Sequence, residues 1–473
     1  MKMLINGKYT DASDGAVIEV FDPAAHELLD TVPAATKADV DLAIEIAQKG
    51  KALWGGLSVQ ERTDILCKAS AMMEAERVEM TTLLAKETGK PYRQADEEIG
   101  NAVALFKGYA QKVRHFYDQI IPAEKDFITV IREPVGVVAC IVPFNFPIDL
   151  YSHKVAPALA AGNAVIIKPS SETPLCNIYI SELLIRAGVP KEAVQVVTGR
   201  GSTVGTWLAE SPKVNAISLT GSTNAGVSVR QTSAKNLSRV FLELGGNDPM
   251  IVFGDIDPAF AAREAVNGRI LNAGQACCST KRFIVHNSIK DAFSRELVNI
   301  LSGLKLGKQF DPQTQVGCLI NEREAMKVEE EVRLTVQQGA RCILGGRRLD
   351  QTFFEPTVLT DVPADADIAK DMEVFGPVFP IIGFETVEEA IQIANQTKYG
   401  LSSGILCSDL KLARKLAAQI DAGGVCINGA SLFRTFDMPF GGHKMSGMGT
   451  EGFYSTLDEY FKTKSIIYKG FYD

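Results

Sequence analysis

The sequence predicts an α/β protein with a parallel sheet that carries helices on both faces. Between residues 134 and 240, short strands rich in branched residues alternate with helical stretches of about 10 to 15 residues, the pattern of β-α-β units. A length of 473 residues exceeds one ordinary hydrophobic core, so two or three domains are expected. The composition, 46% hydrophobic and 22% charged, is that of a globular protein.

The elements that precede this alternation are mostly helical. Apolar residues recur at helical spacing over 37–54, 60–90 and 94–117, and Gly89 ends the second stretch. Residues 127–143 are rich in branched residues and predict strands. Parallel sheets bind ligands beyond the carboxyl ends of their strands, so those loops are the candidate sites.

A second series of strands and helices begins near residue 240, from "RVFLELGG" to "GVCIN". Because the composition does not shift at a linker, a domain boundary near residue 240 depends on the start of this series alone.

Composition and charge argue against several function classes. The net charge is −8 and no basic stripe occurs, whereas a nucleic-acid binder needs a basic face. The most apolar stretch, "VGVVACIVPF", is too short to cross a membrane, and the N-terminus has no apolar run of signal length. Partners are therefore expected to be small molecules.

The cysteines and histidines indicate neither a disulfide framework nor a metal site. Nine cysteines, an odd number, stand at irregular spacing without C-x-x-C, which favours a reducing, cytoplasmic location. The five histidines show no metal-ligand spacing.

Two strand ends carry candidate ligand contacts. In "AISLTGSTNAG", Gly221 and Ser222 form a turn into a helix, which is either a phosphate site at the helix N-terminus or a turn with a serine cap. In "AVIIKPSSETP", Lys168 leaves a buried strand and enters either a ligand site or solvent.

Three further segments contain groups suited to catalysis. Cys277 and Cys278 in "NAGQACCS" are either a nucleophile with a neighbour or two buried thiols. Glu243 in "LELGGND" is either a general base of raised pKa or an exposed edge residue. Asn145 in "VPFNFPID" either donates to a developing oxyanion or caps a turn.

In order and approximate spacing, these segments resemble the aldehyde dehydrogenase superfamily along nearly all of the chain. The similarity is carried by "VPFNFP", "KPSSETP", "LTGSTNAG", "LELGGNDP", "NAGQACC", "EVFGPV" and "PFGGHKMSGMG". The fold it implies is a Rossmann-like cofactor domain, an α/β catalytic domain and a small β oligomerisation flap.

The resemblance implies a catalytic role for three residues. Cys277 would attack the aldehyde, and Asn145 with the backbone N–H of Cys277 would hold the oxyanion. Hydride would pass to a nicotinamide, and Glu243 would activate the water that hydrolyses the thioester. Cys278 would be a neighbour whose side chain turns away.

The resemblance also implies NADP or NAD as cofactor. The implied contacts are Pro143, Lys168, Ser171, Gly221, Ser222, Glu373 and Phe375. A glutamate at the position of Ser171 favours NAD in this family, and serine removes the charge that would repel a 2′-phosphate. NADP is therefore expected to be accepted, together with NAD.

The segment "NGASLFRTFDMPFGG" is similar to that of relatives that act on small hydroxylated or anionic aldehydes, the lactaldehyde type above all. Phe144 and Arg434 are the implied substrate contacts, and Arg434 either binds an anionic group or caps its loop. His153 and Leu271 replace arginines of some succinate-semialdehyde relatives, and Asn101 replaces another anion-binding arginine, so the expected substrate is lactaldehyde-type or a short anionic aldehyde such as sulfolactaldehyde or succinate semialdehyde.

The resemblance divides the chain in three. Residues 1–120 and 134–240 would form the NAD(P)-binding domain and 241–430 the catalytic domain. Residues 121–133 and 431–473 would form an oligomerisation flap and C-terminal arm, giving a homodimer or homotetramer. Two alternatives stay open: an enzyme that passes its thioester to coenzyme A, and a non-catalytic member of the fold.

Overall fold

The structure is a computed structural model and describes residues 1–472, so Asp473, the last residue of the predicted arm, lies outside the described residues. The helices are α1 (Lys37–Gly55), α2 (Val59–Ala75), α3 (Arg77–Thr88), α4 (Tyr92–Lys112), α5 (Asp149–Ala160), α6 (Leu175–Ala187), α7 (Thr206–Glu210), α8 (Thr223–Ser233), α9 (Pro258–Arg269), α10 (Asn287–Ser302), α11 (Glu322–Gln337), α12 (Val387–Asn395), α13 (Leu410–Ala417) and α14 (Phe453–Glu459).

The strands are β1 (Met3–Ile5), β2 (Lys8–Thr10), β3 (Val17–Asp22), β4 (Glu27–Pro33), β5 (Gln119–Pro122), β6 (Phe127–Pro134), β7 (Val137–Ile141), β8 (Ala164–Lys168), β9 (Val194–Val196), β10 (Ala216–Thr220), β11 (Arg239–Glu243), β12 (Asp248–Val252), β13 (Thr280–His286), β14 (Arg341–Leu344), β15 (Thr357–Thr360), β16 (Val378–Phe384), β17 (Tyr399–Gly400), β18 (Gly404–Leu406), β19 (Cys426–Ile427), β20 (His443–Lys444), β21 (Gly447–Met448) and β22 (Phe461–Tyr468).

The first sheet has the order β2-β1-β9-β8-β7-β10-β11-β21. Its five central strands, β9 to β11, run parallel, and the burial of β7, β8, β9 and β10 on both faces explains their continuous apolar runs. The chain proceeds outward from β7 to β9 on one side and from β10 to β11 on the other. The order therefore reverses between β7 and β10, which is where a doubly wound sheet binds its ligand.

The second sheet has the order β14-β15-β16-β13-β12-β18-β19 and is parallel except at β14. Apolar clusters pack against its two faces, and a separate, larger cluster surrounds the first sheet. The predicted α/β class, with two α/β layers of this kind, is confirmed.

A third sheet, β22-β6-β5, is antiparallel and joins the predicted flap to the predicted arm. In this sheet β22 pairs with β6 along its whole length, from Phe461 opposite Pro134 to Tyr468 opposite Phe127. The assignment of domains and of the flap to oligomerisation stays a prediction.

Two details differ from the predictions. The helical stretch 60–90 is two helices, α2 and α3, because the chain leaves helical geometry at Glu76. The predicted boundary at residue 240 falls inside β11, which pairs with β10 of the first sheet and not with the second series.

Candidate active site

A cleft of about 460 Å³, here called the main cleft, lies beside Cys277. It is bounded by the loop after β7, helices α4 and α5, the segment before β13 and the segment 432–436. The residues that line it are Gln94, Glu97, Glu98, Asn101, Phe146, Asp149, Leu150, His153, Leu271, Ala276, Cys277, Cys278, Leu432, Arg434, Thr435 and Phe436.

The turn before Cys277 has an unusual backbone. Asn272, Ala273 and Gly274 all have positive φ angles, of 51°, 53° and 78°. Non-glycine residues in this region cost of the order of 1 kcal/mol or more each, so the turn is held by its surroundings. A Cβ at Gly274 would lie 2.3 Å from the carbonyl oxygen of Gly376, which explains the glycine. The turn therefore fixes where the following thiols point.

Asn145 is held against this turn from both ends. Its side-chain Nδ2 donates to the carbonyl of Gln275 at 3.0 Å, and its own carbonyl accepts from Asn272 Nδ2 and Lys90 Nζ, both at 2.8 Å. Lys90 in turn forms a buried ion pair with Glu98. The loop after β7 and the segment of Cys277 are thus joined, and the second amide hydrogen of Asn145 stays available.

Both Cys277 and Cys278 are half-buried and both line the main cleft. The expectation that Cys278 turns away is wrong, because Cys278 lines the same cleft as Cys277 and the two thiols interact. The thiol of Cys278, and burial, raise the pKa of Cys277, whereas the thiol of Cys277 lowers the pKa of Cys278. The pair thus holds one thiolate more readily than two.

Glu243 ends β11 and is 7% exposed. Its backbone carbonyl accepts from the N–H of Gly221, which links it to the loop after β10. Its side-chain Oε2 has no hydrogen-bond partner within residues 1–472. Burial, and then the negative charge of Glu451, raise the pKa of Glu243 well above its ordinary value. A raised pKa makes the ionised carboxylate a stronger base toward a proton of water.

Glu451 follows β21, and Gly447 of that strand pairs with Glu243. Glu451 accepts from Lys154 Nζ at 3.2 Å and from Arg434 Nη2 at 2.8 Å. Burial favours the neutral acid, but the two cations outweigh it and hold the pKa of Glu451 below its ordinary value. The result is a buried cluster of charges beside Glu243.

Arg434 is thereby engaged in an ion pair, and its guanidinium also lies 4.2 Å from the ring centre of Phe440. Its Nε has no partner among the described residues. His153 is 1% exposed, and neither of its ring nitrogens has a partner in this part of the chain. Burial lowers the pKa of His153 to about 3, so the imidazole is neutral.

The predicted cofactor residues stand at the carboxyl ends of the first sheet. Lys168 ends β8 and is 4% exposed, with no ion pair or side-chain hydrogen bond among the described residues. Burial lowers its pKa to about 8. Ser171 Oγ donates to the carbonyl of Gly199 at 3.2 Å. Gly221 and Ser222 follow β10, and Ser222 caps α8 by accepting from the N–H of Ala225.

The remaining predicted cofactor residues approach Cys277 from the other side. Glu373 Oε1 accepts from the N–H of Gly246 at 2.9 Å and lies 3.6 Å from Lys281 Nζ. A Cβ at Gly245 would lie 2.2 Å from Glu373 Oε2, so this approach needs glycine. Lys281 also donates to the carbonyl of Cys277 and so connects the two groups.

Phe375 makes an edge-to-face contact with Phe144, with ring centres 6.1 Å apart. Pro143 is half-buried and directly precedes Phe144 in the loop after β7. These aromatic residues lie at the carboxyl end of β7, although Phe144, a predicted substrate contact, is absent from the lining of the main cleft.

Sequence reasoning missed five charged residues of the site: Lys90, Glu98, Lys154, Lys281 and Glu451. Each is 5% exposed or less, and all but Lys281 have a similarly buried partner of opposite charge. For Glu98 and Lys154, a charged residue within a largely apolar helix is the available signal, and it does not identify the partner.

Within residues 1–472, no helix is long and apolar enough to cross a membrane. In the same residues, no three His, Cys, Asp or Glu side chains are grouped so that they could hold a metal ion.

Comparison with known proteins identifies the family. Residues 9–466 match the model of the aldehyde dehydrogenase family. The lactaldehyde dehydrogenase of Methanocaldococcus jannaschii is 38% identical over 98% of this chain and 99% of its own, and the NADP-dependent succinate-semialdehyde dehydrogenase of Escherichia coli is 37% identical over 98% and 96%. The structure of a glyceraldehyde-3-phosphate dehydrogenase of M. jannaschii with NADP matches with a TM-score of 0.92 and 37% identity over 96% and 99%.

These matches confirm the enzyme class and the NADP or NAD cofactor that the sequence predicts. Since the family match covers nearly the whole chain and the relatives exceed one third identity over its length, the protein belongs to the aldehyde dehydrogenase family.

Proposed function

We propose that the protein oxidises a short, uncharged hydroxyaldehyde of the lactaldehyde type to its acid, with NAD or NADP, through a thioester that water hydrolyses. The observation that carries the substrate class is the engagement of Arg434 by Glu451. Among the residues 1–472 that line the main cleft, Arg434 is the one cation, and it is already paired.

The proposed nucleophile is Cys277. Its sulfur attacks the aldehyde carbon, and the resulting oxyanion accepts from the Asn145 amide and from the N–H of Cys277. The positioning of Asn145 by Gln275, Asn272 and Lys90 supports this role. When bound, the nicotinamide cofactor supplies the hydride acceptor, which leaves a thioester on Cys277.

Glu243 is the proposed base for hydrolysis. Its unpartnered Oε2 can accept a proton from water as that water attacks the thioester carbon, and acid and free thiol result. A buried carboxyl at this place supports hydrolysis over transfer to coenzyme A, which needs no water-activating base.

The residues of the first sheet fit a dinucleotide. Lys168 is a buried ammonium without a partner among the described residues, and it stands next to the switch point of the sheet. It would bind the adenosine ribose, Gly221 and Ser222 the pyrophosphate at the start of α8, and Glu373 the nicotinamide ribose. With serine at position 171, no carboxylate opposes a 2′-phosphate there, which supports acceptance of NADP.

Polar atoms of the main cleft suit hydroxyl groups. Asp149 Oδ1 and both ring nitrogens of His153 have no partner within residues 1–472 and line the cleft. Burial raises the pKa of Asp149 to about 7, so this group can donate or accept.

The proposed assembly is a homodimer or homotetramer in the cytoplasm. Supporting residues are the exposed apolar side chains of the third sheet and its ends, namely Tyr117, Ile120, Ile121, Ile467, Tyr468, Phe471 and Tyr472. Strand β5 also presents an edge that a second copy could extend. Nine free thiols among the described residues are consistent with a reducing compartment.

The test is a panel of lactaldehyde, propionaldehyde and succinate semialdehyde, each with NAD and NADP, in the wild type and in Cys277→Ala and Cys278→Ala. We expect the highest kcat/KM with lactaldehyde, use of both cofactors, no turnover in Cys277→Ala and turnover within a few-fold of wild type in Cys278→Ala. A preference for succinate semialdehyde would contradict the substrate class. Acyl-coenzyme A as the product when coenzyme A is added would contradict hydrolysis.

A further inference from the structure

A small cavity of about 10 Å³ lies beside Glu243. That is roughly the room that one water molecule needs. Polar and titratable side chains line most of it, among them His153, Lys154, Glu243, Glu451, Glu459 and Tyr460. Glu451 and Lys154 thus line the same cavity as the proposed base.

Arg434 connects the cavity to the main cleft. It lines the cleft, while its Nη2 donates to Glu451 Oε2 at 2.8 Å and the other oxygen of Glu451 accepts from Lys154. The guanidinium is fixed by Phe440 on its face. An arginine held in this way by a buried carboxylate has less capacity for a second anion.

We propose that Arg434 is a positioning residue that acts on water activation by Glu243 through Glu451, and is not the ligand of an anionic substrate group. The proposal rests on the proposed function of Glu243. By pairing with Glu451, Arg434 keeps that carboxylate ionised and directed toward Lys154. The positive charge of Arg434 offsets part of the negative charge of Glu451, so the repulsion that Glu243 experiences stays small.

The charges that act on Glu243 come from several elements. Glu451 raises its pKa, and so does a thiolate at Cys277, whereas Lys154 of α5 and Arg434 lower it. His153, Glu459 and Tyr460 also face the cavity. Loss of Arg434 therefore moves the ionisation of Glu243 to higher pH, and loss of Glu451 moves it to lower pH.

The test uses hydrolysis of p-nitrophenyl acetate without any cofactor, in which an acetyl group on Cys277 is removed by water. The rate of deacylation is measured against pH in the wild type, Arg434→Gln, Arg434→Lys and Glu451→Gln. The rate should rise with pH as Glu243 ionises, and this rising limb should move up by about one pH unit in Arg434→Gln, because one nearby charge shifts a carboxyl pKa by about 1 to 3 units. At a pH on the limb, hydrolysis should then be about tenfold slower than in the wild type. Arg434→Lys should stay close to wild type, and Glu451→Gln should move the limb down.

The double variant Arg434→Gln/Glu451→Gln removes both charges of the pair and tests whether Arg434 acts through Glu451. The effect of Arg434→Gln should shrink in the Glu451→Gln background, and a fully additive effect would overturn the proposal. This variant also avoids an unpaired buried arginine. The matched control is Arg347→Gln, an exposed arginine paired with Glu355, which should leave the limb in place.

Suppose that Arg434→Gln leaves the pH dependence of deacylation unchanged and raises KM only for succinate semialdehyde. Arg434 would then be the ligand of an anionic substrate group, and the proposal would be overturned. The ester assay needs neither aldehyde nor nicotinamide. If the wild type oxidises no aldehyde but shows the expected limb shifts, the proposed function fails and the role of Arg434 stands.

Discussion

Two buried ion-pair clusters lie near the Cys277 segment, and they differ in how completely their polar atoms are used. The first cluster, the anchor pair, consists of Lys90 and Glu98. Lys90 also donates to the backbone carbonyl of Asn145. Glu98 Oε1 accepts from the N–H groups of Ile148 and Asp149. The anchor pair is satisfied and holds the loop after β7.

The second, the base cluster, consists of Lys154, Glu451, Arg434 and the adjacent Glu243. Here Glu243 Oε2 and Arg434 Nε have no partner within residues 1–472. Unpartnered buried polar atoms cost folding free energy and are concentrated where a protein binds or transforms a ligand. The comparison indicates that the anchor pair serves geometry and the base cluster serves chemistry, so substitutions in the two should affect different measurements.

The largest expected effect is that of Glu243→Gln on turnover. The amide cannot accept the proton of water, so deacylation should fall about 10²- to 10⁴-fold. Formation of the thioester should persist, because it does not use Glu243. Rapid mixing with lactaldehyde should therefore give a burst of about one NAD(P)H for each site and then a slow steady state. Unchanged steady-state turnover would remove Glu243 from the proposed role.

The next effect is that of Lys90→Met on stability. It leaves Glu98 as an uncompensated buried charge, which costs about 3 to 5 kcal/mol. The midpoint of denaturant unfolding should fall, and adding Glu98→Gln, which removes the charge but keeps an acceptor for the N–H groups of Ile148 and Asp149, should recover much of the loss. The matched control, Lys37→Met, breaks the exposed pair of Lys37 and Asp41 and should leave the midpoint unchanged. A midpoint equal to that of wild type in Lys90→Met would refute the anchoring role.

The sequence predicted the fold better than it predicted these clusters. Strands and helices follow local patterns of branched and apolar residues, so the series from β7 to β10 was recognisable. The placement of β11 was not, because its pairing with β10 and β21 joins segments that are far apart in the chain.

The catalytic segments were recognisable from motifs, but the contacts between them were not. Lys154 and Glu451 stand 297 positions apart, and no local pattern connects them. The turn before the cysteine pair has positive φ angles at Asn272 and Ala273, which neither residue type demands. Such angles are imposed by tertiary contacts, here the hydrogen bond from Asn272 to Gln94 among others.

The smallest effect, that of His153→Phe on substrate choice, tests whether the unpartnered atoms of the cleft bind hydroxyl groups. A neutral imidazole can make one hydrogen bond with a substrate hydroxyl, worth about 1 kcal/mol, so kcat/KM for lactaldehyde should fall about fivefold. Propionaldehyde lacks that hydroxyl and should be oxidised as well as before, since phenylalanine keeps the aromatic contact with Phe436. Because burial lowers the pKa of His153 to about 3, the pH profile near neutrality should not change. Equal losses with both aldehydes would mean that His153 only shapes the cleft, and the selectivity for a hydroxyl would then have to come from Asp149.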